Sequence, residues 1–305
     1  MSSHAKTTSD SLAALGENGL LHLLTGHWKT DPGRVLTGVG DDCAVLRGKG
    51  KNHFLVFKTD AVVEGVHFTP REKPDLIGRK ALARALSDLA AMGAVPIAAV
   101  ITLGVPKDES VRRLRAIYRG LERAAKKFGV NLVGGETVRA RQLFLNVALL
   151  GECRGYRPVL RSGAKAGDLI FVTGRLGATQ ARHHLVFEPR LAEGQWLAKH
   201  KLATAMMDLS DGLGADLPRL ARASGVFFQL DFAAIPRGRG ATLREAVRDG
   251  EDYELLFTVK ASLAKNLRKK WPFSTPMRCI GVMGRRDGGS REPFLLYGFD
   301  HFKQR

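Results

Sequence analysis

Apolar and polar residues alternate along the chain in patterns that predict helices and strands in turn. The clearest helix is predicted over 108–128, where apolar side chains recur every three or four positions and Gly129 follows as a stop. A second helix is predicted over 74–92, with Gly93 just past its end. Apolar runs predict strands over 35–47 (with a turn), 53–59, 95–103, 131–133 and 143–150. Strands that alternate with helices indicate an α/β or α+β fold.

A polar stretch over 152–168, rich in Arg, Gly and Pro, predicts a hinge. We therefore expect two domains, an N-terminal one over 1–150 and a C-terminal one over 151–305. In the second, helical patterns cover 176–201, with a break at Pro189, and 212–223. Strands are predicted over 169–173, 227–230, 254–259 and 277–282.

The composition suits two globular domains. The chain has 305 residues, of which 44% are hydrophobic, and no run approaches the roughly 20 apolar residues of a membrane span. The polar first ten residues lack the apolar core of a signal peptide. Three widely separated cysteines, Cys43, Cys153 and Cys279, favour neither a disulfide framework nor a thiolate zinc site. We expect a cytoplasmic protein that does not enter a membrane.

The net charge of +18 favours anionic ligands, among them phosphorylated small molecules and nucleic acid. The basic residues are dispersed, and a solvated basic surface is the simpler interpretation. The densest stretches, 112–115 and 265–270, are helix-like and have no interleaved aromatic residues for base stacking. Nucleic acid is therefore not the expected partner.

Acidic residues concentrate beside Gly, Ser and Thr. Small neighbours let a ligand approach the backbone closely, and carboxylates are the preferred protein ligands of Mg²⁺. Several ionised carboxylates share one site only when cations compensate their charge. Each cluster taken singly is explained more simply as a turn or a cap. The clusters are Asp41-Asp42 after Gly40, Asp60 after Thr59, Asp88 after Ser87, Glu136 after Gly134-Gly135, Asp208 and Asp211 around Ser210, and Glu251-Asp252 after Gly250.

In their order and amino-acid sequence these clusters resemble the motif set of the thiamine-monophosphate kinase family, from about residue 35 to the C-terminus. The segments that carry the resemblance are Gly40–Ala44, Thr59-Asp60 with His67-Phe68, Ser87–Ala94, Gly134–Thr137, Arg161–Lys165, Asp208–Leu213, Gly250–Leu255 and Gly298–Phe302. The resemblance implies a two-domain fold like that of aminoimidazole ribonucleotide synthetase. In that fold the N-terminal sheet pairs across a homodimer, and the C-terminal α/β domain closes over the nucleotide.

The resemblance also implies direct transfer of the ATP γ-phosphoryl group to thiamine monophosphate on a site with several Mg²⁺ ions. The chain has no Walker loop, as expected for this superfamily. Carried over by motif, the metal ligands would be Asp42, Thr59, Asp60, Asp88, Glu136, Asp208 and Asp211. The ATP contacts would be Gly135, Arg161 and Ser210.

The thiamine phosphate would be faced by His67, Glu251 and Phe299. An aromatic ring and a carboxylate suit a ligand with a cationic thiazolium ring. The acceptor oxygen is already ionised, so no general base is required. Two alternatives stay open at this stage: His67 could cap a strand end, and Phe299 could belong to the core.

The chain departs from the family pattern in three places. Glu136 stands where Asp is usual and reaches one methylene further. Lys58 stands where a small oxygen ligand is usual, and strand alternation places it on the same face as Asp60. We hypothesise that the Lys58 ammonium replaces one Mg²⁺ as counter-charge; the alternative is that it points to solvent. The segment between Thr173 and Asp208 is short, and no metal is expected at its His183-His184 pair.

Two other functions compete with the kinase function. Other enzymes of the superfamily would need features not seen in the sequence, such as a reactive N-terminal or a C-terminal cysteine. The other competitor is a non-catalytic basic protein that uses the same fold to bind nucleotide or nucleic acid. ADP production on addition of thiamine monophosphate would exclude it, whereas strongly salt-dependent DNA binding would favour it.

Overall fold

The computed structural model describes residues 11–285 and 298–299. A six-stranded sheet occupies the first half, in the order β1-β2-β3-β6-β4-β5. All neighbours in this sheet are antiparallel except β4 and β5, which are parallel. Its strands are β1 (Val35–Thr37), β2 (Ala44–Arg47), β3 (His53–Val63), β4 (Val95–Val105), β5 (Asn131–Arg139) and β6 (Phe144–Arg154). The helices of this half are α1 (Leu12–Thr25), α2 (Pro74–Ala91) and α3 (Val111–Phe128).

A five-stranded antiparallel sheet occupies the second half, in the order β8-β10-β7-β11-β9. Its strands are β7 (Asp168–Thr173), β8 (Ala203–Asp208), β9 (Phe227–Leu230), β10 (Leu255–Lys260) and β11 (Met277–Gly284). The helices are α4 (His183–Val186), α5 (Leu191–Lys199), α6 (Leu213–Ser224), α7 (Leu243–Arg248) and α8 (Ala261–Lys270), with a short 3-10 turn over Phe232–Ala234. The mixed architecture confirms the predicted fold class, while the division at residue 150 stays a prediction.

Helix α2 is the element that joins the two halves. Most of its side chains are buried, including Ile77, Leu82, Leu86 and Leu89. These four residues belong to one hydrophobic cluster that also contains Phe257 of β10. Because α2 packs against both halves, polar groups such as Asp88 near its C-terminal end can reach a site between them.

Several elements differ from those predicted by the pattern. Strand β3 continues to Val63, because β6 pairs with it along its whole length. Strand β5 continues through Gly134 and Gly135 to Arg139, because it pairs with the parallel strand β4. The stretch 176–201 contains only the two short helices α4 and α5, and α1 was not predicted. Among the described helices, none combines the length and the apolar character that crossing a bilayer requires.

Candidate active site

Three buried aspartates from three different elements meet between the two halves. Asp42 precedes β2, Asp88 lies in the last turn of α2, and Asp208 ends β8. Their side chains are almost fully buried, and one carboxylate oxygen from each lies within 4.8 Å of the others. The hydroxyl of Ser87 donates a hydrogen bond to Asp208 Oδ2 at 2.6 Å. Folding therefore brings together residues that are up to 166 positions apart, as the numbers 42 and 208 show.

The electrostatics of this cluster call for a cation. Burial and the neighbouring charge of Asp42 raise the pKa of Asp208 to about 7. Burial also raises the pKa of Asp88 well above its usual value, although Lys58 opposes the rise. Asp42 Oδ2 is buried and has no hydrogen-bond partner in the described part of the chain. Three converging carboxylates with an orphaned buried oxygen fit a hard divalent cation such as Mg²⁺.

Basic side chains surround the acids and contact them directly. Lys58 Nζ lies 2.8 Å from Asp88 Oδ1, which excludes the alternative that Lys58 points to solvent. Arg161 donates from Nη2 and Nε to Asp42 Oδ1 at 2.5 and 3.1 Å. Burial opposes the charge of Lys58, but the carboxylates of Asp88 and Asp60 outweigh it and raise the pKa of the ammonium.

Two further acids in the cleft are paired in the same way. Arg84 Nε lies 3.2 Å from Asp60 Oδ2. Arg219 contacts Asp211 through Nη1, which also lies 2.8 Å from Asp216 Oδ1. Cations of the protein therefore partly offset the negative charge of the site.

The cluster lies in a cleft of about 1610 Å³ that residues of both halves line. Almost every site residue predicted from the sequence lines this cleft: Asp42, Thr59, Asp60, His67, Asp88, Arg161, Asp208, Ser210, Asp211, Glu251 and Phe299. The exceptions are Gly135 and Glu136. The cleft is large enough for a nucleotide and a second small ligand together.

Gly135 and Glu136 lie on β5, at the edge of the first sheet, and are exposed. Glu136 Oε1 accepts a hydrogen bond from the backbone N–H of Thr137 at 2.8 Å. Gly135 has a φ of +156°, and a Cβ there would lie 1.8 Å from the carbonyl oxygen of Ile101. Close pairing of β5 with β4 therefore already requires glycine at this position. The ligand roles of Gly135 and Glu136 stay predictions.

Thr59 and Asp60 face opposite sides of β3, because side chains alternate along a strand. The Thr59 hydroxyl donates to Asn146 Oδ1 at 2.8 Å, and its role as a metal ligand stays a prediction. The expectation that Lys58 and Asp60 share a face fits their contacts, since both are paired with residues of α2.

The predicted acceptor residues, His67, Glu251 and Phe299, all line the cleft. His67 Nδ1 accepts a hydrogen bond from the backbone N–H of Val63 at 3.1 Å, so Nε2 carries the ring proton in the neutral form. Glu251 Oε1 lies 2.7 Å from the Nζ atom of Lys80. The backbone N–H of Phe299 donates to the carbonyl oxygen of Asp211 at 2.9 Å, which holds Phe299 at the cleft.

Sequence reasoning missed Lys80, Arg84, Ser87 and Arg219 as partners of the acids. Arg84 precedes Asp88 by four positions on a helix, a spacing that could have indicated proximity to the cluster. Arg219 similarly follows Asp216 by three positions. Lys80 gave no signal, because its partners are distant in sequence.

One family model and three known proteins are similar to this chain. Residues 40–153 match the family described as AIR synthase related protein, N-terminal domain. The thiamine-monophosphate kinase of Mycobacterium tuberculosis (strain H37Rv) is 37% identical over 264 residues, covering 81% of this chain and 78% of that protein. The Escherichia coli K12 thiamine-monophosphate kinase is 35% identical over 311 residues, covering 88% and 92%. The solved structure of AaThiL complexed with AMPPCP and TMP superimposes with a TM-score of 0.84 at 29% identity, covering 97% of this chain and 100% of that one.

Proposed function

This chain belongs to the thiamine-monophosphate kinase family, and we propose on that premise that it phosphorylates thiamine monophosphate to thiamine diphosphate at the expense of ATP. The observation that carries the proposal is the buried cluster of Asp42, Asp88 and Asp208 in a cleft that also contains Arg161. Two phosphorylated molecules can react only where their negative charge is balanced. Carboxylates that bind metal ions and nearby basic side chains together provide that balance. Phosphoryl transfer depends on positioning and charge compensation more than on covalent help from the protein.

The transfer needs only one bond exchange. A phosphate oxygen of thiamine monophosphate attacks the γ-phosphorus of ATP, and the bond from that phosphorus to the β–γ bridging oxygen breaks, which releases ADP. The attacking oxygen is already ionised, so no general base is assigned. Arg161 is a permanent cation and suits contact with the ATP phosphates. Its contact with Asp42 holds the guanidinium at the cleft.

We propose that Asp42, Asp88 and Asp208 hold Mg²⁺, with Asp60 and Asp211 as further acids of the site. Bound Mg²⁺ would neutralise charge that develops on the phosphates. The contributions of the chain itself are orientation and counter-charge. Lys58 and Arg84 keep Asp88 and Asp60 paired within the cleft, so less charge is left for metal ions to balance.

We further propose a homodimer in which a second copy covers the open face of the first sheet. Helices α2 and α3 lie against one face, and several large apolar side chains of the strands are exposed elsewhere on the sheet. Phe57, Val100 and Val133 have exposed fractions of 46%, 41% and 62%. Among the described residues, β5 is also an edge strand, and one of its sides has no paired strand. The division into domains at residue 150 and the cytoplasmic location remain part of this proposal.

An acceptor comparison tests the proposed function. ADP release is measured with thiamine monophosphate, with thiamine and with an aminoimidazole ribonucleotide precursor, each with and without Mg²⁺. The proposal expects release only with thiamine monophosphate and Mg²⁺, and loss of that release in Asp88→Asn. Release with another acceptor would reassign the enzyme within its superfamily. No release with any acceptor, together with strongly salt-dependent DNA binding, would favour the non-catalytic alternative.

A further inference from the structure

A fully buried lysine contacts two of the predicted acceptor residues. Lys80 is in α2, its exposed fraction is 0%, and its ammonium has three close acceptors. Nζ lies 2.6 Å from the carbonyl oxygen of His67, 2.8 Å from His184 Nδ1 and 2.7 Å from Glu251 Oε1. An ammonium has three donors and no acceptor, so each of its N–H groups has a partner here. A buried charge that is fully paired in this way fixes the position of its partners.

Two of the three partners are residues that face the acceptor. Lys80 contacts the backbone of His67 and the side chain of Glu251, and both residues line the cleft. Glu251 has a φ of +67° and Tyr253 a φ of +52°, which are left-handed conformations that cost energy in residues other than glycine. Such a loop keeps its shape only when several contacts hold it.

Several other contacts of this loop come from the second half of the chain. The backbone N–H groups of Glu251 and Tyr253 donate to the carbonyl oxygens of Ser210 and Leu209 at 2.7 and 2.8 Å. The Tyr253 ring stacks on Phe187 with a centroid distance of 4.0 Å. The Tyr253 hydroxyl donates to Glu251 Oε1 at 3.3 Å from within the loop, whereas Lys80 contacts the same oxygen at 2.7 Å from the first half of the chain.

His184 completes this arrangement as the third partner. Its Nδ1 atom lies 2.8 Å from Lys80 Nζ and 3.4 Å from Glu251 Oε2. Because the ammonium only donates, Nδ1 must accept, and the imidazole is neutral with its proton on Nε2. Burial and the charge of Lys80 lower the pKa of His184, in keeping with a neutral ring.

We propose that Lys80 and His184 are positioning residues for the acceptor, which aim Glu251 and His67 at the thiamine end of thiamine monophosphate. The inference rests on the proposed function and adds which residues set acceptor affinity without touching the acceptor. Neither residue contacts the Asp42, Asp88 and Asp208 cluster, so nucleotide binding is expected to be independent of both.

The test compares His184→Leu, which removes the accepting atom, with His184→Asn, whose amide oxygen can accept in its place. His200→Leu is the matched control, since His200 is exposed and lies outside the cleft. Calorimetry measures the Kd of thiamine monophosphate and, separately, of a non-hydrolysable ATP analogue. The inference expects a loss of roughly tenfold or more in acceptor affinity for His184→Leu, since a hydrogen bond to a charged group is removed. It expects recovery in His184→Asn and an unchanged nucleotide Kd in all three variants.

If His184→Leu lost the same affinity for thiamine monophosphate and for the ATP analogue, His184 would have a general structural role and the inference would be overturned. An unchanged affinity for thiamine monophosphate would also overturn it. Lys80→Met supplies a second reading, with KM expected to rise for thiamine monophosphate and not for ATP. If Lys80→Met fails to fold, the His184 pair alone decides. If the wild-type protein does not bind thiamine monophosphate, the proposed function fails. If the wild-type protein and His184→Leu bind it with equal affinity, only the inference about Lys80 and His184 fails.

Discussion

Lys58 Nζ lies 2.8 Å from Asp88 Oδ1, so strand β3 places a positive charge beside the acidic cluster. The contact follows from alternation in β3, where Phe54, Val56 and Val62 point into the core on the same face as Lys58. Helix α2 covers that face and presents Asp88 to it. The counter-charge hypothesis drawn from the sequence thus gains a specific geometry, and its effect on metal number stays a prediction.

Substitution of Lys58 by Ser should increase the number of Mg²⁺ ions that the site takes up. The ammonium would be replaced by a hydroxyl, and the charge of Asp88 would need another cation. Calorimetric titration of the nucleotide-bound protein with Mg²⁺ measures the stoichiometry directly, whether or not the variant is active. Lys51→Ser, in the exposed turn before β3, is the control. An unchanged stoichiometry in Lys58→Ser would show that the Lys58 ammonium does not replace a Mg²⁺ ion.

The pKa of Asp208 predicts how the stability of the metal-free protein depends on pH. Its folded value of about 7 lies above the usual 3.8, so the folded state holds a proton that the unfolded state has released between these values. Stability is therefore present at low pH and is lost as pH rises toward 7. We expect the titration of Asp208 to contribute a loss of about 2 kcal/mol between about pH 5.5 and about pH 8, on the scale of 1.36 kcal/mol per pKa unit.

Denaturant unfolding in the presence of a chelator measures this dependence. Asp208→Asn should remove the contribution of Asp208, because the amide does not titrate, and should also abolish turnover. Added Mg²⁺ should stabilise the wild-type protein more at high pH than at low pH, since the metal competes with the proton. The account would be in error if the wild-type protein and Asp208→Asn showed the same pH dependence without metal.

A buried ion pair in the second half predicts a purely structural effect. Arg190 donates from Nε and Nη2 to the two carboxylate oxygens of Glu254 at 2.7 and 2.5 Å, and Thr173 donates to the same group at 2.6 Å. Arg190→Met leaves the buried carboxylate without its cation and should lower the free energy of unfolding by about 3–5 kcal/mol. Arg244→Met, at an exposed position of α7, should change it by less than about 0.5 kcal/mol. Equal stability of the two variants would contradict the assignment.

The proposed dimer predicts a change in mass upon a single substitution. Val100→Asp places a charge on the open face of the first sheet and should convert the dimer to a monomer, because an unpaired charge in a buried interface is costly. Val111 is more exposed, at 64%, and lies on α3, so Val111→Asp should leave the dimer intact. Light scattering coupled to size exclusion gives the masses. A wild-type protein that is monomeric at all concentrations would refute the proposal.

Much of the site was predictable because its acids stand in short segments of distinctive order. Asp42, Asp88 and Asp208 were identified as members of one site and meet in the structure. Glu136 was grouped with them and does not meet them in the structure, because β5 extends through it at the far edge of the sheet. Local pattern gives no indication of which edge a strand will occupy, since pairing is decided by residues distant in the chain.

The partners of the acids were less accessible to sequence reasoning. Lys80 stands among apolar residues of α2 and has the pattern of a helix face that packs against a core. Its burial is possible only because Glu251 and His184, more than 100 positions away, supply acceptors. Such a contact depends on how the two halves assemble, a property that neither periodicity nor charge reveals.

The phosphorus spectrum of the reaction mixture is the most direct test of the central claim. Protein, ATP, Mg²⁺ and thiamine monophosphate are followed over time by ³¹P NMR, with Asp88→Asn in parallel. The account predicts that the thiamine monophosphate signal is replaced by the paired signals of a diphosphate ester while ADP forms in equal amount, and that Asp88→Asn shows neither change. Formation of inorganic phosphate without the diphosphate ester, or an unchanged spectrum with folded wild-type protein, would contradict it.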